Sequence, residues 1–244
     1  MYTFLLVHAA WHDGSAWNPV IKYLESRGHK AFGPTMAGHG KGVDKNVTHA
    51  QSVQTIVDCV EENDLVEVVL LGHSYAGTII SKAVEQVPDR IKRLVFLSAF
   101  VLNDGECISD NAPPHFHALF IQLANESPDN SIMLPFKIWR ESFINDGDLE
   151  MAKWSYDQLS PLPNQISEKL DLKKFYALIH SGKVACSYIN CTEDIALPQG
   201  EWGWHPRMSN RLGLFRLVQM PGSHEVIFTN PSGLAEKIIE AGRD

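Results

Sequence analysis

Residues 66–77, VEVVLLGHSYAG, decide the fold of this chain. The stretch begins as a valine and leucine run broken by one glutamate, which is typical of a central strand covered on both faces. A turn centred on Ser74 follows, and a helical pattern then covers Tyr75–Gln86. A serine in such a strand–turn–helix connection has its hydroxyl exposed above the sheet. The last glycine of this G-x-S-x-G pattern is replaced by Ala76, and Gly77 follows it.

Short apolar runs alternate with helical patterns through the first hundred residues and again near the end of the chain. This order is typical of a parallel sheet with right-handed crossovers. Capping residues mark the start of two predicted helices. Thr48 and Gln51 predict a capping box, and Asn230-Pro231 places a cap residue before a first-turn proline. The predicted strands are Phe4–Val7, Lys30–Phe32, Val66–Leu71, Leu94–Phe100, Val184–Ile189 and Leu214–Gln219.

The strand–helix alternation stops after Leu102. Residues 103–180 carry helical patterns, prolines and aromatic side chains, but no run that predicts a buried strand. We therefore predict one α/β domain, formed by residues 1–102 and 181–244, with a helical cap inserted over residues 103–180. The aromatic side chains of the insertion either line an apolar pocket or pack the cap onto the sheet; they include Phe116, Phe120, Trp139 and Trp154.

An acid and a base follow the last two predicted strands. Asp194 lies just past the fifth strand, and His224 lies in the loop after the sixth. Because the carboxyl ends of parallel strands share one edge of a sheet, both residues are expected beside Ser74. A serine hydroxyl becomes a good nucleophile only with a base, and the base needs an orienting carboxylate. Ser74, Asp194 and His224 are therefore the predicted catalytic residues, with Glu193 and Asp104 as rivals for the acid position.

The loop after the first predicted strand, residues 8–14, reads HAAWHDG. A loop in this place can supply one backbone N–H to an oxyanion, and the residue after the nucleophile supplies the second. The predicted oxyanion donors are the N–H groups of Ala10 and Tyr75. His8, at the start of the loop, is expected to anchor the loop by hydrogen bonds.

These motifs resemble those of the α/β-hydrolase superfamily, in the group of plant methylesterases, hydroxynitrile lyases and bacterial pyrethroid- and carbendazim-type hydrolases. Residues 143–163 also resemble the cap of bacterial members. The departures are Ala9 and Ala76, where glycine is usual, and Asp13, where a small residue is usual. The matching stretches follow in order along the chain: HAAWH at 8–12, PTMAGHG at 34–40, the serine turn, TED at 192–194 and GSH at 222–224.

The resemblance implies an α/β-hydrolase fold and a serine-dependent carboxylic ester hydrolase. The aromatic side chains of residues 103–180 and the acidic net charge predict small to moderately bulky apolar esters as substrates, with carbamates or amides as an extension. No cofactor is expected, because the sequence carries no metal or nucleotide signature, and the resemblance implies a homodimer. The alternatives are a hydroxynitrile lyase or another non-hydrolytic enzyme on the same scaffold, and a ligand receptor with little turnover. Lyases of the group carry a threonine at the position of Ala9 and a lysine at the position of Glu225, so both differences favour hydrolysis.

The composition argues against several other classes of protein. The chain has 244 residues, is 44% hydrophobic and carries a net charge of −8 without a basic run, which disfavours nucleic acid and anionic membranes as partners. Its four scattered cysteines predict no disulfide framework, and no stretch approaches the roughly 20 apolar residues that span a bilayer. We therefore expect a cytoplasmic protein. No metal is expected, because His115 and His117 lack a third ligand, and GHGKG at 38–42 lacks the spacing of a dinucleotide loop.

Overall fold

The computed structural model describes all 244 residues and contains eight strands. The strands are β1 (Thr3–Val7), β2 (Lys30–Phe32), β3 (Val68–His73), β4 (Ile91–Leu97), β5 (Ser131–Ile132), β6 (Leu162–Pro163), β7 (Ala185–Cys191) and β8 (Phe215–Met220). Six of them form one sheet in the order β2-β1-β3-β4-β7-β8, and every neighbouring pair in it is parallel. β5 and β6 form a separate antiparallel pair.

Helices cover both faces of the main sheet. They are α1 (Asn18–Ser26), α2 (His49–Glu62), α3 (Ala76–Ala83), α4 (Pro114–Glu126), α5 (Phe136–Ile138), α6 (Leu149–Tyr156), α7 (Lys173–His180), α8 (Val226–Thr229) and α9 (Pro231–Gly242). Along β1, Leu5 and Val7 join the buried apolar cluster shared with α2 and α3, whereas Phe4 and Leu6 join the cluster shared with α1 and α9. Because successive strand residues face opposite sides, this two-sided burial accounts for the continuous apolar runs. None of these helices is long and apolar enough to cross a membrane.

The predicted fold class is confirmed, but the bounds of two central strands differ from the prediction. β3 begins at Val68, two residues later than predicted, because the φ of +53° at Glu67 interrupts the extended backbone. Val66, the predicted first residue, lies before this interruption and is 58% exposed. β4 ends at Leu97, and Phe100, the predicted last residue, is buried in the connection that follows. Hydrophobicity reports burial, and a buried connection is as apolar as the strand it extends.

The predicted helix starts are present, whereas one predicted helix end is wrong. Thr48 and Gln51 make the reciprocal bonds of a capping box, and Asn230 accepts the N–H of Gly233 at 3.0 Å. α3 ends at Ala83, three residues before the predicted Gln86. Capping residues mark a start through specific hydrogen bonds, while the end of this helix has no comparable side-chain signal.

Residues 103–180, the predicted cap, contain α4 to α7, a π-helical turn at 139–143, and the short pair β5–β6. The sequence predicted no buried strand here; β5 and β6 are buried, but two residues each are too few to produce a periodic pattern. The insertion lies against the loop after β1. Trp11 Nε1 donates to the carbonyl of Ile132 at 2.8 Å, and Ser160 N–H donates to the carbonyl of Trp11 at 2.8 Å.

Candidate active site

Ser74 lies in the tight turn between β3 and α3 and has a φ of +56°. A serine in this left-handed region is strained, and such strain collects at functional sites. The turn is tight because a Cβ at Gly72 would lie 2.6 Å from the carbonyl oxygen of Ala76, and one at Gly77 would lie 2.2 Å from that of Phe100. Positions 72 and 77 are therefore the ones where the neighbouring backbone leaves no room for a side chain. Position 76 does accommodate the methyl group of Ala76.

His224 and Asp194 meet in the buried region behind the carboxyl edge of the sheet. Nδ1 of His224 donates to Oδ2 of Asp194 at 2.7 Å, and the other carboxylate oxygen accepts the N–H of Ala196 at 2.9 Å. This arrangement fixes the carboxylate and leaves Nε2 of a neutral His224 as the proton acceptor. Burial lowers the pKa of His224, but the Asp194 charge and hydrogen bond, with the charge of Glu225, outweigh burial and raise the pKa above its ordinary value.

The two rival acids lie elsewhere. The Glu193 side chain is exposed, and its backbone N–H donates to the carbonyl of Gly222 at 3.1 Å. Asp104 accepts the N–H of Leu172 at 2.8 Å and lies 3.8 Å from the ammonium of Lys173. Neither carboxylate forms a hydrogen bond to His224, whereas Asp194 does.

Aromatic rings hold the imidazole of His224 on two sides. Trp204 stacks on it with centroids 5.2 Å apart and planes inclined by 16°, and Phe143 meets it edge-on at 5.3 Å. Sequence reasoning missed both residues. Trp204 lies in the long connection between β7 and β8, and Phe143 ends the π-helical turn of the insertion, so neither has a local motif that would mark it.

Ala10 and Tyr75, the predicted oxyanion donors, are 5% and 2% exposed and line the same cavity as Ser74. Neither backbone N–H bonds to another group of the protein, and the same holds for Trp11 and His12 in the Ala10 loop. The N–H groups of Ala10 and Tyr75 are therefore free to bind an acceptor atom of a ligand. His8 anchors the Ala10 loop as predicted, since its Nδ1 donates to the Ala9 carbonyl at 2.9 Å and its Nε2 accepts the N–H of Met36 at 3.1 Å.

These groups converge on one apolar cavity. Sixteen residues line it, of which 14 are hydrophobic, and the exceptions are Ser74 and His224. No hydrogen bond joins the Ser74 hydroxyl to His224 in this structure, although both line the same space. The aromatic lining residues are Trp11, Tyr75, Phe100, Phe116, Phe120, Phe143 and Trp204.

The four aromatic residues singled out in the insertion lie in different surroundings. Phe116 and Phe120 line the cavity, so they are among the residues a ligand would meet. Trp139 is fully buried against His12 and is a packing residue, and Trp154 is 53% exposed. The structure gathers no three His, Cys, Asp or Glu side chains into a group able to hold a metal ion.

Comparison with known proteins adds to this geometry. A family model described as alpha/beta hydrolase matches residues 4–237. A solved α/β-hydrolase from a Paenibacillus species is 41% identical, with a TM-score of 0.96 and full coverage of both chains. It is described as extracellular and as sharing structural and functional homology with tobacco salicylic acid binding protein 2. Since this relative is extracellular, the cytoplasmic location stays a prediction.

Two curated relatives are esterases by name. A carbendazim hydrolyzing esterase from a Nocardioides strain is 34% identical over 128 residues, which cover 50% of this chain and 53% of that protein. A putative chloroplastic methylesterase 11 from Arabidopsis thaliana is 28% identical over 257 residues, which cover 98% of this chain and 64% of that protein. The chain thus spans between half and two thirds of the length of these relatives. Together with the family model, they confirm the resemblance seen in the motifs: the chain belongs to the alpha/beta hydrolase family.

Proposed function

We propose that the protein is a serine-dependent carboxylic ester hydrolase. The observation that carries the proposal is the buried His224–Asp194 hydrogen bond of 2.7 Å at a cavity that also holds the strained Ser74. A base oriented by a carboxylate, at the same cavity as a serine hydroxyl, is the arrangement that nucleophilic acyl transfer requires. The buried backbone N–H groups of Ala10 and Tyr75, two residues that line the same cavity, support the same chemistry because they can hold an oxyanion.

The reaction proceeds in two halves. Ser74 Oγ attacks the ester carbonyl while Nε2 of His224 takes its proton, and Asp194 stabilises the imidazolium that forms. The N–H groups of Ala10 and Tyr75 hold the oxyanion of the tetrahedral intermediate. Its collapse breaks the ester C–O bond, and His224 protonates the departing alcohol. Water then attacks the acyl-enzyme by the same route, which releases the carboxylic acid and restores the serine.

The proposed substrates are neutral, apolar esters of small to moderate size. No Lys, Arg, Asp or Glu lines the cavity, so a charged substrate group would be buried without a partner, at a considerable cost in free energy. Cavities lined by apolar and aromatic side chains with a few polar groups are typical of small-molecule sites. Carbamates use the same nucleophile and oxyanion donors, and the name of the Nocardioides relative makes them the first extension to assay.

Cyanohydrin cleavage is the competing reaction on this scaffold. Cyanide leaves as an anion, and a nearby cation would stabilise it. The residue after His224 is instead Glu225, whose carboxylate lies 3.0 Å from His12 and does not line the cavity. Ala9 offers no hydroxyl for the cyanohydrin oxygen. These features favour hydrolysis.

The deciding experiment measures steady-state turnover of short p-nitrophenyl esters by the wild-type protein and by Ser74→Ala. We expect ready turnover by the wild type and near-complete loss in the variant, with unchanged thermal unfolding. Mandelonitrile should release cyanide no faster with the wild type than with the variant. Tight ester binding without turnover would instead indicate a receptor, and an active Ser74→Ala would refute the mechanism.

A further inference from the structure

A buried contact joins two loops of the proposed site. His12 Nε2 and Glu225 Oε2 lie 3.0 Å apart, and their side chains are 3% and 1% exposed. His12 follows Ala10 by two residues in the loop after β1, and Glu225 directly follows His224. The two residues are 213 positions apart in the sequence, so the contact links loops from opposite ends of the chain.

Neither side chain lines the cavity, so contact with a substrate does not account for them. The ring of His12 packs edge-on against Trp139 and Phe228, with centroid distances of 5.7 and 5.5 Å. The backbone N–H of Glu225 donates to the carbonyl of Phe143 at 3.1 Å. A carboxylate enclosed in this way is costly unless a partner compensates it. His12 is that partner.

Two other titratable groups beside the pair are neutral. His73, at the end of β3, has its ring 4.8 Å from that of His224, and neither of its ring nitrogens has a partner. Burial lowers the pKa of His73 to about 3. Burial also raises the pKa of the Cys191 thiol well above its ordinary value.

Glu225, by contrast, carries a charge. Burial raises the pKa of its carboxyl, but the charge and hydrogen bond of His12 outweigh burial and, with the nearby His224, lower the pKa. Two carboxylates therefore act on the His224 ring: Asp194 through a direct hydrogen bond, and Glu225 through its charge.

We propose that His12 and Glu225 are positioning residues that lock the loop of Ala10 to the loop of His224. The inference rests on the proposed function, in which His224 is the base and Ala10 an oxyanion donor. The substrate carbonyl must meet both groups at once, and a misplacement of about 1 Å can cost about 100-fold in rate. The pair keeps the two groups in one geometry, and Glu225 adds a negative charge beside the imidazolium of the intermediate.

Three variants distinguish the effect of the Glu225 charge from the effect of its contact with His12. Glu225→Gln keeps the shape and removes the charge, Glu225→Asp keeps the charge and withdraws it from His12, and His12→Gln removes the ring. For each we expect kcat on a neutral p-nitrophenyl ester to fall about 10- to 100-fold, with KM within about threefold of the wild type, because the substrate cavity itself is untouched. Asp104→Asn, which alters a loop carboxylate bound to Leu172, is the matched control and should keep wild-type kcat.

The pH dependence of kcat/KM gives a readout that a purely structural role would not move. The acid limb of the profile should shift to lower pH in Glu225→Gln, because a negative charge beside His224 is lost. It should stay in place in Glu225→Asp. In His12→Gln it should also move to lower pH, because without the His12 ring burial raises the pKa of the Glu225 carboxyl and weakens the negative charge beside His224.

Wild-type kcat in any folded variant of the pair, or an unmoved acid limb in Glu225→Gln, would overturn the proposal. Failure of all three variants to fold, judged by circular dichroism, would also overturn it, because the pair would then be a folding element. Ser74→Ala, assayed in parallel, tests the proposed function alone: if it keeps activity, the hydrolase mechanism fails whatever the pair does.

Discussion

Replacing Asp194 by asparagine perturbs the proposed site with the least change in shape. The carboxylate accepts the Nδ1–H of His224 at 2.7 Å and the N–H of Ala196 at 2.9 Å. An asparagine can satisfy His224 with its amide N–H₂, in which case the imidazole holds its proton on Nε2. The base then presents a donor to Ser74 and cannot accept the serine proton.

The size of the expected fall in kcat can be worked out from the structure. Two unit charges separated by the 2.7 Å between His224 and Asp194 attract by about 6 kcal/mol at an effective dielectric constant of about 20. This energy is an upper bound on how far the Asp194 carboxylate stabilises the imidazolium in the transition state. In the serine protease triad the same substitution lowers kcat by about 10⁴, or about 5.4 kcal/mol. We therefore expect kcat of Asp194→Asn to fall between about 10³- and 10⁴-fold.

The assay is steady-state hydrolysis of a neutral p-nitrophenyl ester, with thermal unfolding as a check on the fold. Glu193→Gln and Asp104→Asn are matched controls, because each neutralises a loop carboxylate that does not contact His224. Both should keep kcat within about threefold of the wild type. A larger loss in Glu193→Gln or Asp104→Asn than in Asp194→Asn would refute the assignment of the acid.

Three further predictions follow from the same structure. The kcat/KM for ester hydrolysis should rise with pH through a pKa above about 6.5, because activity needs neutral His224 and two carboxylates raise its pKa; a profile flat from pH 5 to 9 would contradict this. Gly77→Ala should destabilise the protein by about 1 to 3 kcal/mol in urea unfolding, because its Cβ would lie 2.2 Å from the Phe100 carbonyl oxygen, whereas Gly203→Ala, with its nearest atom at 3.4 Å, should be near neutral. A neutral aryl ester should exceed its carboxylate-bearing analogue at least about tenfold in kcat/KM, because the cavity offers no cation, and equal values would exclude an apolar site.

The parts of the fold that follow from local physics could be predicted from the sequence. Strands buried on both faces are continuous apolar runs, and glycines at 72 and 77 occur where the backbone of the Ser74 turn approaches its neighbours within 2.6 and 2.2 Å. Asp194 could be placed because it directly follows a strand, and the carboxyl ends of parallel strands share one edge. The exact end of β4 could not be placed, because Phe100 is apolar and buried like the strand residues before it.

Contacts between distant segments leave no comparable signal in one sequence. Trp204 stacks on His224 only because the long connection after β7 returns over the sheet, and nothing in its neighbours marks that path. The charge of Glu225 illustrates the same limit: from the sequence, a carboxylate after the base is expected, where its side chain lies near the site, to repel an anionic leaving group and to favour a protonated imidazole. In the structure its oxygen is taken by His12, at 3.0 Å and away from the cavity. The charge therefore reaches the chemistry through the protonation of His224, so it should alter the pH dependence of the reaction more than the choice of substrate.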